Sequence, residues 1–143
     1  MYGTGDGTIT DVVNELDTTV NLYQSVDDSP LSPTDTDWIN NNAVEVASVF
    51  LDITNPPADF LTATSATILV RYRGQYWAGG SLKLFAQAFQ SDESTALSDE
   101  VEIVTVSGDT SFANTSAITL TNLAAGSKAI WNGARIRFRW GST

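Results

Sequence analysis

Near its end the chain reads ARIRFRW (134–140), in which Arg135, Arg137 and Arg139 alternate without a break with Ile136, Phe138 and Trp140. Strict period two belongs to a β-strand, because successive side chains leave a pleated backbone on opposite sides. The run therefore predicts a strand with three apolar residues facing inward and three arginines facing out. ILVRYR (68–73) repeats the rule, with Ile68, Val70 and Tyr72 on one face and Leu69, Arg71 and Arg73 on the other. VEVASVFLDI (44–53), SLKLFAQAFQ (81–90), VEIVTVS (101–107) and SAITLTNL (116–123) are further runs of this kind. In SLKLFAQAFQ, alternation puts Leu82, Leu84, Ala86 and Ala88 on one face and Phe85 and Phe89 on the other. A helix is the alternative there, but short length and flanking glycines favour a strand.

Turn formers punctuate these runs. NPPAD follows the first, and its two prolines cannot continue a ladder. Gly79 and Gly80 separate SATILVRYRGQYW (65–77) from SLKLFAQAFQ, which makes that pair the clearest hairpin candidate. AAGSKAIWNG reads as one helical turn before the arginine run. Strands are expected near 44–53, 66–74, 81–90, 101–107, 116–122 and 134–140. Short β-rich runs at this spacing, with no long helical period, predict an all-β fold: an antiparallel β-sandwich or jelly roll.

The beginning has a different texture. GTGDGT is turn-like, and SVDDSPLSPTDTD is dense in turn formers. Extended segments are expected near Thr8–Val13 and Val20–Gln24. Residues 1–20 are expected to be an extended N-terminal arm, mobile in the isolated protein, and 21–143 the sandwich domain.

At 143 residues the chain is long enough to bury a core without staples. It contains no cysteine and no histidine, which removes disulfides, cysteine nucleophiles, the usual zinc sites and the Ser-His-Asp mechanism. MYGTGDGTIT has neither a basic n-region nor an apolar h-region, and no apolar run approaches a membrane span. A soluble protein without a cleaved export signal is expected.

Net charge is −10, and it is unevenly spread. Residues 1–70 hold eleven acids and no base, whereas 71–143 hold six acids and all seven bases. If the two arginine runs lie in one sheet, five of those seven bases, Arg71, Arg73, Arg135, Arg137 and Arg139, share one outer face. Three uses are open to them. Nucleic acid is disfavoured, because Phe138 and Trp140 belong to the opposite face and cannot stack bases beside the arginines, and the net charge repels a polyanion. Pairing with acids of the same fold, such as Asp52, Glu100 and Glu102, is the second. Docking on carboxylates of a protein partner is the third, since planar guanidinium groups suit such interfaces.

Other constellations are weaker. Asp27-Asp28 and Asp35-x-Asp37 have the close spacing of calcium loops, but lack the glycine turn and the bidentate glutamate at a fixed distance. No metal, cofactor or catalytic residue is assigned, and no carboxylate pair is singled out for glycosidase chemistry, so an enzyme is not expected. Asn114-Thr115-Ser116 fits a glycosylation sequon only formally. Tyr76 and Trp77, beside Ala78-Gly79-Gly80, have the character of sugar-stacking aromatics, although hairpin ends also carry aromatics for packing.

One stretch is more specific than any periodicity. VNLYQSVDDSPLSPTDTDWINNN (20–42) contains Leu22, Tyr23, Val26, Asp27 and Asp28, then Pro33, Asp35, Asp37, Trp38 and Ile39. It resembles a Leu-Tyr-x-x-Ile/Val-Asp-Glu/Asp element followed by Pro-x-Asp-x-Asp-Tyr/Trp-Ile in small β-sandwich proteins of tailed-bacteriophage and prophage virions. The likeness continues in order through VEVASVFLDI, a proline loop, a strand ending Arg-Tyr-Arg, a Leu- and Phe-rich strand, Thr-Leu-Thr-x-Leu, a small-residue turn and the arginine strand. It covers most of residues 20–140, and the chain departs from it in its acidic, glycine-rich start and in Trp38. The resemblance implies a virion structural protein, made in the bacterial host cytoplasm and carried on the capsid surface. A capsid decoration or cement protein is the leading expectation, with the major capsid protein and further copies of itself, as a homotrimer, for partners, and neither nucleic acid nor membrane. The alternative is a carbohydrate- or receptor-binding module of a tail or head fibre, presenting Tyr76 and Trp77.

Overall fold

The computed structural model describes residues 3–10, 12–14, 39–41, 47–74, 81–108 and 110–141. In chain order the elements are β1 (Gly3–Thr10), β2 (Val12–Asn14), β3 (Ile39–Asn41), β4 (Ala47–Ile53), β5 (Thr67–Ile68), β6 (Arg71–Tyr72), β7 (Leu82–Phe89), β8 (Val101–Val106), β9 (Ala113–Asn114), β10 (Ile118–Thr119), the short helix α1 (Lys128–Trp131) and β11 (Arg135–Gly141). The protein is all-β, and its main sheet has five antiparallel strands in the order β1-β4-β11-β7-β8. The helical turn before the arginine strand forms where expected, and SLKLFAQAFQ is a strand.

Registration explains the alternation. Ile136, Phe138 and Trp140 stand opposite Leu51, Val49 and Ala47 of β4 and opposite Ala88, Ala86 and Leu84 of β7. Ile136 and Phe138 in the central strand thus meet alanines in β7 and Trp140 meets Ala47 in β4, so the inner face is filled without overpacking. Against that face pack Ile68, Val70 and Ile118, and further along Phe60, Ala66, Leu120, Leu123 and Trp131. Val12 and Ile39, from the paired β2 and β3, cover the β4 end.

The second layer is a ribbon in pieces. β5 pairs with β10 and β6 with β9, and between them Leu69 and Val70 face Thr115, Ser116 and Ala117, two residues against three. That is a β-bulge, and Thr115 closes it by donating its N–H to the Val70 carbonyl while its Oγ1 accepts from Val70 N. The inner positions Ile68, Val70 and Tyr72 are half-buried, and Thr67, Leu69, Arg71 and Arg73 are exposed, which is the predicted period.

Two expectations change. SATILVRYRGQYW and SLKLFAQAFQ do not pair as a hairpin: β7 is flanked by β11 and β8, and the earlier run pairs with β9 and β10. A Gly-Gly turn signal is local, whereas the choice of ladder follows from which faces must be covered together. The arm boundary at residue 20 also gives way at its start. Gly3–Thr10 is an edge strand of the main sheet, and Val12 is fully buried. The motif that carries the virion resemblance lies outside the described residues apart from Ile39.

The arginine strand as the candidate functional site

β11 lies between β4 and β7, so each of its arginines has a neighbour on both sides. Arg135 stands opposite Asp52 and Phe89, Arg137 opposite Phe50 and Gln87, and Arg139 opposite Ser48 and Phe85. All of these side chains leave the sheet on the face away from the core. Arg139 grips Glu100 with two bonds, Nε to Oε2 at 3.0 Å and a terminal nitrogen to Oε1 at 2.6 Å. Arg137 donates to the same carboxylate at 2.7 Å and to Gln87 Oε1 at 2.7 Å. Its Nε is buried and finds no hydrogen-bond partner among the described residues. Arg137 also lies over the Phe89 ring at 4.8 Å and Arg139 over Phe85 at 4.2 Å. Phe89 in turn meets Phe50 edge to face, so the guanidinium groups roof a small aromatic layer on the outer side of the sheet.

Arg135 closes the other end. Its Nε donates to Asp52 Oδ1 at 2.5 Å, and a terminal nitrogen reaches the Glu93 carboxylate. Glu93 also accepts the Thr8 hydroxyl and, at 3.0 Å, the Thr8 N–H. One carboxylate therefore ties β1 to β11. Glu93 does so from a backbone with φ 57°, a left-handed conformation that is uncommon for a non-glycine residue. β1 can approach this cluster only because it is rich in glycine. A Cβ on Gly7 would collide with Glu93 and come within 2.8 Å of the Phe50 Cβ, and one on Gly5 would lie 2.9 Å from Asp52. GTGDGT reads as a turn, but Gly5 and Gly7 serve close approach.

The electrostatics follow from these contacts. Hydrogen bonds from Arg139 hold the Glu100 carboxyl below the ordinary value of 4.5 against a burial penalty, helped by both arginine charges. For Glu93, burial pushes up, but bonds from Thr8 and Arg135 prevail and its pKa also lies low. Further out, Glu102 is lowered mainly by Lys83, to which it is joined at 2.8 Å, and by Thr105. Glu102 and Thr105 share a face because β8 bulges: Val104 opposes Leu84 while Glu102 opposes Phe85, which leaves Ile103 as the extra, inward residue.

Of the five arginines, the structure brings three together. Arg71 and Arg73 belong to β6 and the residue after it, outside the main sheet, where both lie near the Phe112 ring at 5.6 and 5.8 Å and Arg71 donates to Asn114 Oδ1. The expected single outer face of five cations therefore divides in two, because the runs lie in different layers. The acids Asp52 and Glu100 serve as predicted and Glu102 takes Lys83 instead. Glu93 was missed, since nothing local marks a residue that acts across the whole chain. Tyr76 and Trp77 lie outside the described residues. Among the described residues no cluster of three or more acids could hold a metal, and no helix is long and apolar enough to cross a membrane.

What this arrangement can do chemically is neutralise and stiffen. Three guanidinium groups meet three carboxylates, with side chains 16–33% exposed. Compared with models of protein families, with curated proteins and with solved structures, the chain matches none of them.

Proposed function

We propose that this protein is a structural component of a tailed-bacteriophage virion, a decoration protein that binds the outer capsid surface and stabilises the head. The observation that carries the reading is an order. From 47 to 141 the strands and turns run β4, proline loop, Arg-Tyr-Arg run, Leu- and Phe-rich β7, Thr-Leu-Thr-x-Leu, small-residue turn and arginine strand, which is the order of the virion resemblance. A decoration protein must occupy many identical sites, and repetition on a lattice supplies avidity without exceptional affinity at any one site.

In this reading Arg135, Arg137 and Arg139 build the platform, and the exposed Arg71 and Arg73 beside Phe112 supply the cationic contact to carboxylates of the major capsid protein. The favoured state on the lattice is a homotrimer at three-fold sites. The test is the stoichiometry of purified particles by mass spectrometry, followed by rebinding to particles stripped of the protein. Many copies per head, with rebinding lost in Arg71→Gln/Arg73→Gln at raised salt, is the expected result. A few copies confined to the tail would overturn the reading in favour of receptor binding.

A further inference from the structure

Asn132–Gly133 is the one Asn–Gly step in the sequence, and Asn132 is exposed. Such a step is chemically labile. The glycine amide nitrogen can attack Asn Cγ, forming an N–Cγ bond while the Cγ–Nδ2 bond breaks. The proton lost from the amide leaves with Nδ2 as ammonia. Water then opens the resulting succinimide at either carbonyl, giving aspartate or isoaspartate.

The fold holds the reacting groups apart in two ways. Trp131 to Ala134 form a type II turn: Asn132 has φ −66° and ψ 128°, Gly133 has φ 67°, and Ala134 N–H donates to the Trp131 carbonyl at 3.2 Å. Both ends of the turn are buried. Ring closure needs the Gly133 nitrogen eclipsed with the Asn132 Cβ, and this ψ keeps it well away. The second restraint is Asn55, whose Oδ1 accepts the Gly133 N–H at 2.8 Å and so occupies the proton that must be lost. Asn55 is itself followed by Pro56, whose nitrogen carries no hydrogen, so the same attack is closed to it.

We propose that Asn132 is a latent self-modification site, convertible to aspartate or isoaspartate through a succinimide, and that the Asn55 side chain keeps it closed in the folded protein. The stakes are local geometry. Isoaspartate adds a main-chain methylene between Trp131 and Ala134, and Ala134 is the residue whose carbonyl accepts Ile53 N–H just before Arg135 pairs with Asp52. Conversion would therefore loosen the start of the arginine strand and lower the melting temperature of aged protein.

The experiment follows the peptide spanning Asn132 by mass spectrometry during incubation at mildly alkaline pH, for folded protein and for protein in urea, with circular dichroism on every sample. Folded wild type should convert far more slowly than the urea sample. Asn55→Ala should raise the folded-state rate roughly fivefold, the factor that corresponds to losing one hydrogen bond of about 1 kcal/mol. Asn55→Asp keeps an acceptor and should stay near wild type. Equal rates for folded and urea-treated wild type would overturn the proposal, as would a folded Asn55→Ala at the wild-type rate. Should Asn55→Ala fail to fold, a folded Asn55→Asp that converts as fast as the urea sample overturns it instead.

Discussion

Replacing Glu100 by Gln isolates the contribution of the arginine strand, because one carboxylate there serves two guanidinium groups. The substitution keeps the shape and one acceptor oxygen but removes the charge that both Arg137 and Arg139 face. A fully exposed pair would lose about 0–1 kcal/mol, and breaking a wholly buried pair costs about 3–5 kcal/mol. The side chains here are 20–27% exposed, and Arg137 Nε already lacks a partner among the described residues. Loss of two charge-assisted contacts in that setting should cost about 2–3 kcal/mol. For a domain of this size that is a fall in melting temperature of roughly 5–10 °C. Thermal melts of wild type, Glu100→Gln, Arg139→Gln and the double variant give the coupling between the two groups, expected at about 1.5–3 kcal/mol. A shift below about 2 °C with negligible coupling would refute the reasoning, and would leave the network free for a docking role. Under the proposed virion role, occupancy lost from particles at unchanged melting temperature would point the same way.

Acid should act through the same groups. Glu93 and Glu100 have folded-state values below the ordinary 4.5, so the stability they contribute is complete above that value and is lost as pH falls through their lower folded values. Urea denaturation across pH should show a plateau above about pH 5 and a decline beneath it; a stability that rises on acidification would contradict the assignment. Gly7→Ala should detach β1, since the new methyl meets Glu93 and Phe50, and hydrogen exchange should then lose protection across Gly3–Thr10 at a cost of about 1–3 kcal/mol. Gly108→Ala, with nothing within 4 Å of the added methyl, serves as its neutral control. Trp131→Phe should cost less than about 1.5 kcal/mol, because the buried indole N–H makes no hydrogen bond among the described residues, whereas Trp131→Ala should cost about 3–5 kcal/mol; equal losses in a thermal melt would refute that contrast. Arg71→Gln/Arg73→Gln should leave the melt within about 1–2 °C, as exposed cation–π contacts are small.

Much of this architecture is legible in the chain itself. Period two in RIRFRW determines which residues of β11 face the core, since a pleated backbone permits no other division. The same holds for Leu84, Ala86 and Ala88 against Phe85 and Phe89 in β7, and for Val70 against Arg71 and Arg73. The prolines after Ile53 and the helical turn before β11 are equally local. What the sequence leaves open is which strand lies beside which. Gly79-Gly80 suggests a hairpin, yet β7 pairs with β11 and β8, because ladder choice is decided by burying inner faces of distant segments together. The arginines show the same limit: alternation puts three of them on one face, but only the β4-β11-β7-β8 strand order brings Asp52, Gln87 and Glu100 to them and separates Arg71 and Arg73 into another layer. Glu93 and the glycines of β1 lie furthest from sequence reasoning. Their meaning rests on a contact between residues 8 and 93, and a short polar segment acquires it only when the folded sheet brings a carboxylate to meet it.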